Sequence, residues 1–366
     1  MEKLVAQRLP DPDFWRGRKV LLTGHTGFKG SWLLFWLEAM GAEVTGCSLP
    51  PEQPSALFPL LYPEARLHGE IADIRDAHEL ANLVERARPE IVLHLAAQSL
   101  VRRGYADPVG TFATNVGGTN NLLQALAQTG TARAIVVATT DKVYRNSGDG
   151  RRFRETDPLG GEDPYSASKA ACELVVAGWR AHFEATRCGV ATARAGNVIG
   201  GGDWAEDRLL PDAVRAWSAG QILSVRRPFA TRPWQHVLEP LRGYLVLAER
   251  LASGAELAPA YNFGPDEDSA TVRDVLALAA SHFGGAGIDF AETPEGPAEA
   301  PALALDPSLA GRDLEISGLW GLSQTVALTA RWYRDHLDGR AARDLCSEDC
   351  SAYLDAAGRA ASGSAW

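Results

Sequence analysis

The sequence predicts an α/β fold, in which a doubly wound parallel sheet is followed by a smaller C-terminal lobe. Short apolar runs alternate with helix-like segments over the first 198 residues. These runs are nearly continuous, as in strands that are buried on both faces of a parallel sheet. After residue 200 glycine, proline, tryptophan and arginine become frequent and the alternation stops, which indicates a lobe of different construction.

Strands are predicted where short runs are rich in apolar and β-branched residues, and helices where apolar residues recur at helical spacing. The predicted strands are residues 19–23, 43–48, 67–71, 90–96, 133–139 and 190–195. The predicted helices are residues 31–40, 76–88, 115–128 and 164–184. The sequence ends in AAGRAASGSAW, and this run of small residues predicts a flexible tail over 341–366.

The composition argues against several kinds of partner. The 366 residues carry a formal net charge of -10 and a pI near 5.4, which disfavours a general nucleic-acid or anionic-membrane binder. No apolar run approaches the roughly 18 residues of a membrane span, and the first residues are charged and broken by proline, unlike a signal peptide. The five cysteines are odd in number and form no disulfide framework or metal-ligand pattern. We therefore expect a cytoplasmic protein with reduced thiols and no metal.

Glycines follow the first predicted strand in the sequence GHTGFKG, where Gly24, Gly27 and Gly30 open a helix. Glycines at a strand–helix turn let the backbone approach a pyrophosphate, which the helix N-terminus then binds. The second strand ends in Gly46-Cys47-Ser48, without the carboxylate that usually holds the adenosine ribose. The choice between NAD and NADP is therefore open at this strand, and we expect weak adenosine binding.

A YxxxK motif, Tyr165 to Lys169, opens the last long helix of the first domain. Positions i and i+4 share one helix face. Asp163 is suited to cap this helix and Pro164 to occupy its first turn. An ammonium beside a phenol favours the phenolate, so we expect Lys169 to lower the pKa of Tyr165.

These motifs resemble the extended short-chain dehydrogenase/reductase family over roughly residues 17–265. The resemblance implies a Rossmann-type NAD-binding domain at 1–198 with a return segment near 232–265, and a substrate-binding lobe mainly at 199–340. It also implies that Thr140, Tyr165 and Lys169 are catalytic. The implied NAD-binding residues are Gly24, His25, Gly27, Phe28, Lys29, Gly30, Ser48, Asp73, Ile74, Leu95, Ala96, Ala97, Asn115, Thr139, Tyr165 and Lys169.

The segment TTDKVY adds Asp141 and Lys142 directly after Thr140. With GHTGFKG, DPYSASK, GNVIGGGDWAEDRLLPD and TRPWQHVLEPLRGY, it is similar to family members that dehydrate CDP-glucose. The resemblance implies an NAD-dependent lyase that forms CDP-4-keto-6-deoxy-D-glucose for deoxysugar biosynthesis. Asp141 would protonate the departing C6 hydroxyl. Lys142 would remove the C5 proton, which requires a depressed pKa, or would stay charged and stabilise the enolate.

The second lobe is rich in arginine, whose planar fork suits a diphosphate. By the same resemblance, the implied substrate-binding residues are Ser99, Arg103, Thr140, Asn197, Arg208, Arg232 and His236. Trp204, Trp234 and His236 have two possible roles. They line the pocket for the base or the sugar, or they pack in the core. The choice of cytosine rests on the resemblance alone.

Two other functions remain open from the sequence. A nucleotide-sugar 4-epimerase would use Thr140, Tyr165 and Lys169 but not Asp141 and Lys142. A non-catalytic dinucleotide sensor would not need the intact Tyr165 and Lys169. Family members are often homodimers through a four-helix bundle, which here would use helices near 115–128 and 165–184.

Overall fold

A computed structural model describes residues 7–63, 69–266, 269–284, 287–292 and 302–362. Its centre is a seven-stranded sheet in the order β11-β6-β5-β4-β1-β2-β3, and every pairing in it is parallel. The strands of the chain are β1 Lys19–Thr23, β2 Glu43–Ser48, β3 Glu70–Ile71, β4 Ile91–His94, β5 Ala134–Ala138, β6 Gly189–Ala195, β7 Val198–Ile199, β8 Leu223–Val225, β9 Thr231–Arg232, β10 Gln235–His236, β11 Ala260–Phe263, β12 Ala270–Thr271 and β13 Ile288–Phe290.

The helices cover both faces of this sheet. They are α1 Pro12–Trp15, α2 Phe28–Ala39, α3 Leu57–Leu61, α4 Ala77–Ala87, α5 Val101–Ala106, α6 Pro108–Phe112, α7 Thr119–Thr129, α8 Pro164–Ala185, α9 Leu209–Ser218, α10 Leu238–Ala252, α11 Val272–Ser281, α12 Ser308–Leu314, α13 Leu322–Leu337 and α14 Ala342–Ser362. A π-helical turn, Ala113–Gly118, precedes α7, and a 3₁₀ turn, Asp141–Val143, follows β5. Among the described residues, no helix is both long and apolar enough to cross a membrane.

The doubly wound parallel sheet is confirmed. All five residues of β5 are buried, as expected for a central strand that helices cover on both faces. The predicted third strand is shorter than expected, because pairing begins at Glu70; residues 67 and 68 of that prediction lie outside the described residues. The segment near 232–265 returns to the sheet, where β11 pairs with β6.

The C-terminal lobe is built from short strand pairs and helices. β7 pairs with β10, β8 with β13 and β9 with β12. A separate apolar cluster, to which Trp217, Leu223 and Val275 belong, packs α9 and α11 against these strands. The lobe therefore has its own core next to the carboxyl ends of the sheet strands.

The prediction of a flexible tail over 341–366 is wrong for its described part, because α14 forms a packed helix over Ala342–Ser362. Residues 363–366 lie outside the described residues. The Tyr353 side chain is fully buried, donates its hydroxyl to Glu239 Oε2 at 2.7 Å and packs edge-to-face on Trp320. A helix that buries an aromatic side chain is held by packing, although its sequence is rich in small residues.

We predict that Tyr353→Ala lowers the free energy of unfolding by about 3 kcal/mol or more, because a large buried ring is removed and Glu239 loses a donor. Leu354→Ala is the matched control, since Leu354 is exposed on the same helix and its truncation should cost less than about 1 kcal/mol. Urea unfolding measures both changes. Equal effects of the two substitutions would contradict the packed position of α14.

Candidate active site

The glycine-bearing turn packs directly on the neighbouring strand end. Gly24 has φ +77°, and a Cβ there would lie 2.7 Å from the Ala96 backbone nitrogen. A Cβ on Gly30 would lie 2.0 Å from the Gly24 carbonyl oxygen. Gly27 caps α2 without a side-chain hydrogen bond, so the backbone N–H groups of the first helical turn are offered to a ligand. Such a turn fits a pyrophosphate.

Several predicted cofactor residues at the edge of this turn already have protein partners. Ser48 Oγ lies 2.7 Å from Thr26 Oγ1, and β2 ends without a carboxylate. The backbone N–H and the guanidinium of Arg75 both donate hydrogen bonds to the Asp73 carboxylate and hold the pKa of that group below its usual range. Ile74 is buried. Direct contacts of these residues with a cofactor remain predictions.

Hydrogen bonds fix the backbone of the loop after β4. The backbone N–H groups of Leu95 and Ala96 both donate to Thr23 Oγ1 at 3.1 Å, and Ala97 follows them in the chain. Asn115 exchanges hydrogen bonds with the Gln98 backbone at 2.8 and 3.0 Å and donates to Ser168 Oγ at 2.8 Å. Its side chain therefore ties this loop to α8.

His25 and Phe28 occupy less polar surroundings than the rest of the turn. His25 is buried and packs edge-to-face on Phe58, at 5.1 Å between ring centroids. The Phe28 ring faces Gly200, where an added Cβ would lie 3.2 Å from the ring. The predicted turn is thus closed on one side by aromatic rings.

Tyr165 and Lys169 lie on one face of α8, as predicted, and both are buried. Asp163 caps the helix by accepting a hydrogen bond from the Ser166 backbone at 2.9 Å, and Pro164 is its first residue. Lys169 Nζ donates to the Ala138 carbonyl at 3.0 Å, and burial lowers the pKa of this lysine. The side chain is therefore held against the end of β5.

The pKa of Tyr165 is raised in this structure, against the expectation that it is lowered beside Lys169. Burial raises the pKa of Tyr165 to about 12, and the hydrogen bond with Thr140 and the charge of Arg208 oppose that rise only in part. The physical reason is that a phenolate loses its hydration in this closed site. The groups that offset this loss are Thr140 and Arg208.

Thr140, Asp141 and Lys142 form one contiguous polar cluster at the end of β5. Thr140 Oγ1 caps the 3₁₀ turn, accepting from the Lys142 backbone N–H at 3.4 Å, and donates to Asp141 Oδ1 at 3.0 Å. Lys142 Nζ lies 2.9 Å from the same Oδ1 atom. The Asp141 side chain is completely buried, and its Oδ2 atom has no hydrogen-bond partner among the described residues.

A cavity of about 230 Å³ opens beside this cluster, between the sheet and the C-terminal lobe. Three predicted substrate residues line it, namely Asn197, Arg208 and Arg232. Asn197 Oδ1 also lies 3.5 Å from Lys142 Nζ, so one residue of the cavity wall contacts the polar cluster. Its guanidinium groups suit a diphosphate.

The prediction that His236 binds substrate is wrong. Its ring is completely buried between Trp32 and Trp320, with centroids 6.1 and 4.8 Å away, and it does not line the cavity. Burial lowers the pKa of His236 to about 3, so it is a neutral core residue.

The remaining substrate predictions lie near the rim of the site. Arg103 is exposed and forms an ion pair with Glu52, which directs its guanidinium towards the loop after β2. Arg208 Nη2 lies 3.5 Å from Ser99 Oγ. Trp234 lines the cavity, whereas Trp204 packs edge-to-face on Tyr333.

The comparisons with known proteins agree with this geometry. The model of the NAD-dependent epimerase/dehydratase family matches residues 20–264. This chain belongs to that family. It is 42% identical over 357 residues to a CDP-glucose 4,6-dehydratase of Salmonella typhimurium, covering 95% of this chain and 99% of the relative.

Two solved structures with NAD bound are also similar. A dTDP-glucose 4,6-dehydratase from Streptomyces venezuelae is 26% identical with a TM-score of 0.74, covering 87% of this chain and 98% of that one. A UDP-glucose 4-epimerase from Thermus thermophilus is 26% identical with a TM-score of 0.72, covering 86% and 98%. The family therefore contains both of the enzyme classes that the sequence left open.

NAD is the cofactor of this family, and the glycine turn fits it. Two observations support the fit. The N-terminus of α2 has no side-chain cap, and the backbone packs so closely there that Gly24 and Gly30 have no room for a side chain. When bound, NAD would supply hydride acceptance from a sugar carbon and its return. The glycine turn at the start of α2 would hold its pyrophosphate.

The structure adds residues that the motifs did not reveal. Arg102 and Arg226 line the cavity with the predicted arginines. Lys29, one of the implied NAD-binding residues, donates to the Tyr244 hydroxyl at 3.4 Å, and burial followed by the charge of Arg208 lowers its pKa to about 7. Glu173 lies one helical turn beyond Lys169, and that i+4 spacing was the signal in the sequence that could have identified it.

We predict that Lys142→Met lowers the free energy of unfolding by about 3 kcal/mol, because it leaves Asp141 buried without its counter-charge. This is the lower end of the loss expected when one partner of a buried ion pair is removed, since Lys142 is partly exposed. The double variant Asp141→Asn/Lys142→Met should regain most of that loss, since no charge is then left buried. Urea unfolding of the three proteins tests this. A double variant as unstable as the single one would contradict the ion-pair explanation.

Proposed function

We propose that this protein dehydrates CDP-D-glucose to CDP-4-keto-6-deoxy-D-glucose with NAD, as a step of deoxysugar biosynthesis. The observation that carries the proposal is the Asp141–Lys142 pair, which directly follows Thr140; the Thr140 hydrogen bond and the Arg208 charge both act on Tyr165. An epimerase has no use for this pair. The base, cytosine, is inferred from the Salmonella typhimurium relative, which covers nearly the whole chain.

The first step is oxidation at C4. Tyr165 accepts the C4 hydroxyl proton, which Thr140 relays through their hydrogen bond. This step needs the phenolate, which burial disfavours and which the positive charge of oxidised NAD, once bound, would favour. The C4 hydrogen leaves as hydride. Arg208 lowers the energy of the phenolate by its positive charge. The resulting ketone acidifies the neighbouring C5 proton.

The second step is elimination of water across C5 and C6. Neutral Lys142 removes the C5 proton while protonated Asp141 gives its proton to the C6 oxygen, which leaves as water. Because Lys142 Nζ and Asp141 Oδ1 lie 2.9 Å apart, the two proton transfers are coupled. The pair is charged at rest, and one proton passes from Lys142 to Asp141 before this step, so elimination returns the pair to its charged form. Protonated Lys142 then gives its proton to C5 as the hydride returns to C6. The proton that Tyr165 took from the C4 hydroxyl leaves to solvent and Lys142 takes one up from solvent, so both groups regain their starting states.

The cavity arginines bind the diphosphate in this proposal. Arg208 and Arg232 supply forked donors, and Asn197 connects the cavity to Lys142. Because the diphosphate lies beside the catalytic cluster, the sugar between them reaches Thr140 and Tyr165. Binding energy from the nucleotide thereby orients the reacting carbon atoms.

The protein is also proposed to be a cytoplasmic homodimer. α6 packs on α8, and the outer surface of these helices exposes large apolar side chains. Val109 is 79% exposed, Leu174 66% and Phe112 40%. Such a patch on adjacent helices suits a self-complementary four-helix interface.

The function is tested by a product assay. The purified protein is incubated with and without added NAD, separately with CDP-, dTDP-, GDP- and UDP-glucose, and mass spectrometry measures loss of one water. We expect water loss from CDP-glucose, and stimulation by added NAD because β2 ends without a ribose-binding carboxylate. A change in sugar stereochemistry without water loss would instead identify an epimerase.

We predict that Leu174→Asp converts the dimer to a monomer, because it places a charge in the apolar interface. Ile222→Asp is the control, since Ile222 is 69% exposed on the other lobe. Sedimentation velocity should show half the mass for the first variant and an unchanged mass for the second. A monomeric parent protein would overturn the proposed interface.

A further inference from the structure

We propose that a buried ion pair, Glu173–Arg194, is a positioning device that holds both ends of the segment 139–144, on which Thr140, Asp141 and Lys142 lie. The inference rests on the proposed function, because it concerns how those three groups keep their places. Both charged side chains are about 5% exposed and their atoms lie 2.8 Å apart. Neither residue touches the catalytic atoms in the structure.

The near end of the segment is held by Glu173. Its Oε1 atom accepts from Thr139 Oγ1 at 2.5 Å and from Arg194 Nε at 3.0 Å. Its Oε2 atom accepts from Thr192 Oγ1 at 2.6 Å and from Arg194 Nη2 at 2.8 Å. The carboxylate is thereby fully paired inside the protein, which a buried charge requires.

The Thr139 hydroxyl thus has a protein partner, although the sequence placed Thr139 among the cofactor residues. Because Thr139 directly precedes Thr140, fixing its side chain fixes the start of the catalytic segment. The same carboxylate lies on α8, one turn after Lys169. The helix that carries Tyr165 is therefore joined to the strand end that carries Thr140.

The far end is held by Arg194. Its Nη1 atom donates to the Tyr144 hydroxyl at 2.9 Å and to the Glu155 carbonyl at 3.1 Å. The Tyr144 hydroxyl donates in turn to Asn262 Oδ1 at 2.6 Å. The Tyr144 ring stacks on Phe153, with 5.0 Å between centroids and planes 5° apart. Tyr144 therefore fixes the backbone two residues beyond Lys142.

Between the two anchors the segment forms one short 3₁₀ turn and accepts one backbone hydrogen bond, from the Gly160 N–H to the Val143 carbonyl at 2.7 Å. Among the described residues, nothing fixes the side chains of Asp141 and Lys142 other than their own pair, Thr140 and Asn197, so the anchors at both ends contribute to their placement. Tyr165 and Lys169 are held separately by α8. Removing the far anchor should displace Asp141 and Lys142 more than Tyr165. A displacement of about 1 Å can cost a factor of about 100 in rate, so the elimination step should suffer more than the oxidation step.

The test compares two steps in Tyr144→Phe, which keeps the stacked ring and removes one hydroxyl. Oxidation alone is followed as NADH absorbance with CDP-6-deoxy-D-glucose, which has no C6 leaving group. Complete dehydration is followed with CDP-glucose. We expect Tyr144→Phe to lower the dehydration kcat by about tenfold to a hundredfold, with NADH formation within about threefold of the parent. Thr139→Val, which removes the near anchor next to Thr140, should lower both rates.

Tyr353→Phe is the matched control, because it also removes one buried hydroxyl that donates to a carboxylate, but far from the segment in sequence. It should leave both rates unchanged. If the parent protein dehydrates CDP-glucose, then equal losses of both rates in Tyr144→Phe, or no loss of either rate, would overturn the positioning role. Absence of water loss in the parent protein would overturn the proposed function, and this inference with it.

Discussion

The arrangement of the catalytic groups depends on the buried Glu173–Arg194 ion pair. Removing two opposite charges from water costs several kcal/mol per ion, and the cost is offset only where each charge is paired and hydrogen-bonded. Glu173 and Arg194 meet that condition through Thr139, Thr192 and Tyr144. The pair consequently joins α8, β6 and the chain after β5. Groups that belong to separate elements can then act on neighbouring carbon atoms of one sugar.

A second constraint is the positive charge that converges on the active site of an acidic protein. Lys29 interacts electrostatically with Arg208, Lys169 and Lys142, and with the single carboxylate of Asp141. Burial contributes most to the lowering of the pKa of Lys29 to about 7, and the first three of these neighbours add to it. A nucleotide diphosphate would supply the missing negative charge. The formal net charge of -10 therefore says little about this site, because charge is distributed locally.

Local sequence signals were sufficient for α8 and for the first six strands of the sheet, β3 only in part, but they did not predict β11 as a strand. Apolar runs identify buried strands, and Asp163, Pro164 and the Tyr165–Lys169 spacing identify the start of α8 and one of its faces. The same signals brought Thr140, Asp141 and Lys142 to one strand end. All of this information lies within a few residues along the chain.

The features that sequence reasoning missed depend on contacts between distant residues. His236 is a core residue because Trp32 and Trp320 enclose it, and neither is near it in sequence. α14 is held in place because the Tyr353 hydroxyl donates a hydrogen bond to Glu239. The alanine-rich sequence of this segment does not indicate that contact. The pKa of Tyr165 is raised by burial. Burial depends on the whole closed site, so the YxxxK motif alone does not predict it.

The central claim is that one site performs both the redox exchange and the elimination of water. The most direct measurement uses CDP-D-glucose with deuterium at C4, converted by the protein in ordinary water and analysed by NMR. We predict that the deuterium appears at C6 of the 4-keto-6-deoxy product, and that unlabelled CDP-D-glucose converted in heavy water gains deuterium at C5. Deuterium that remains at C4 of an epimerised or unchanged sugar would contradict the account.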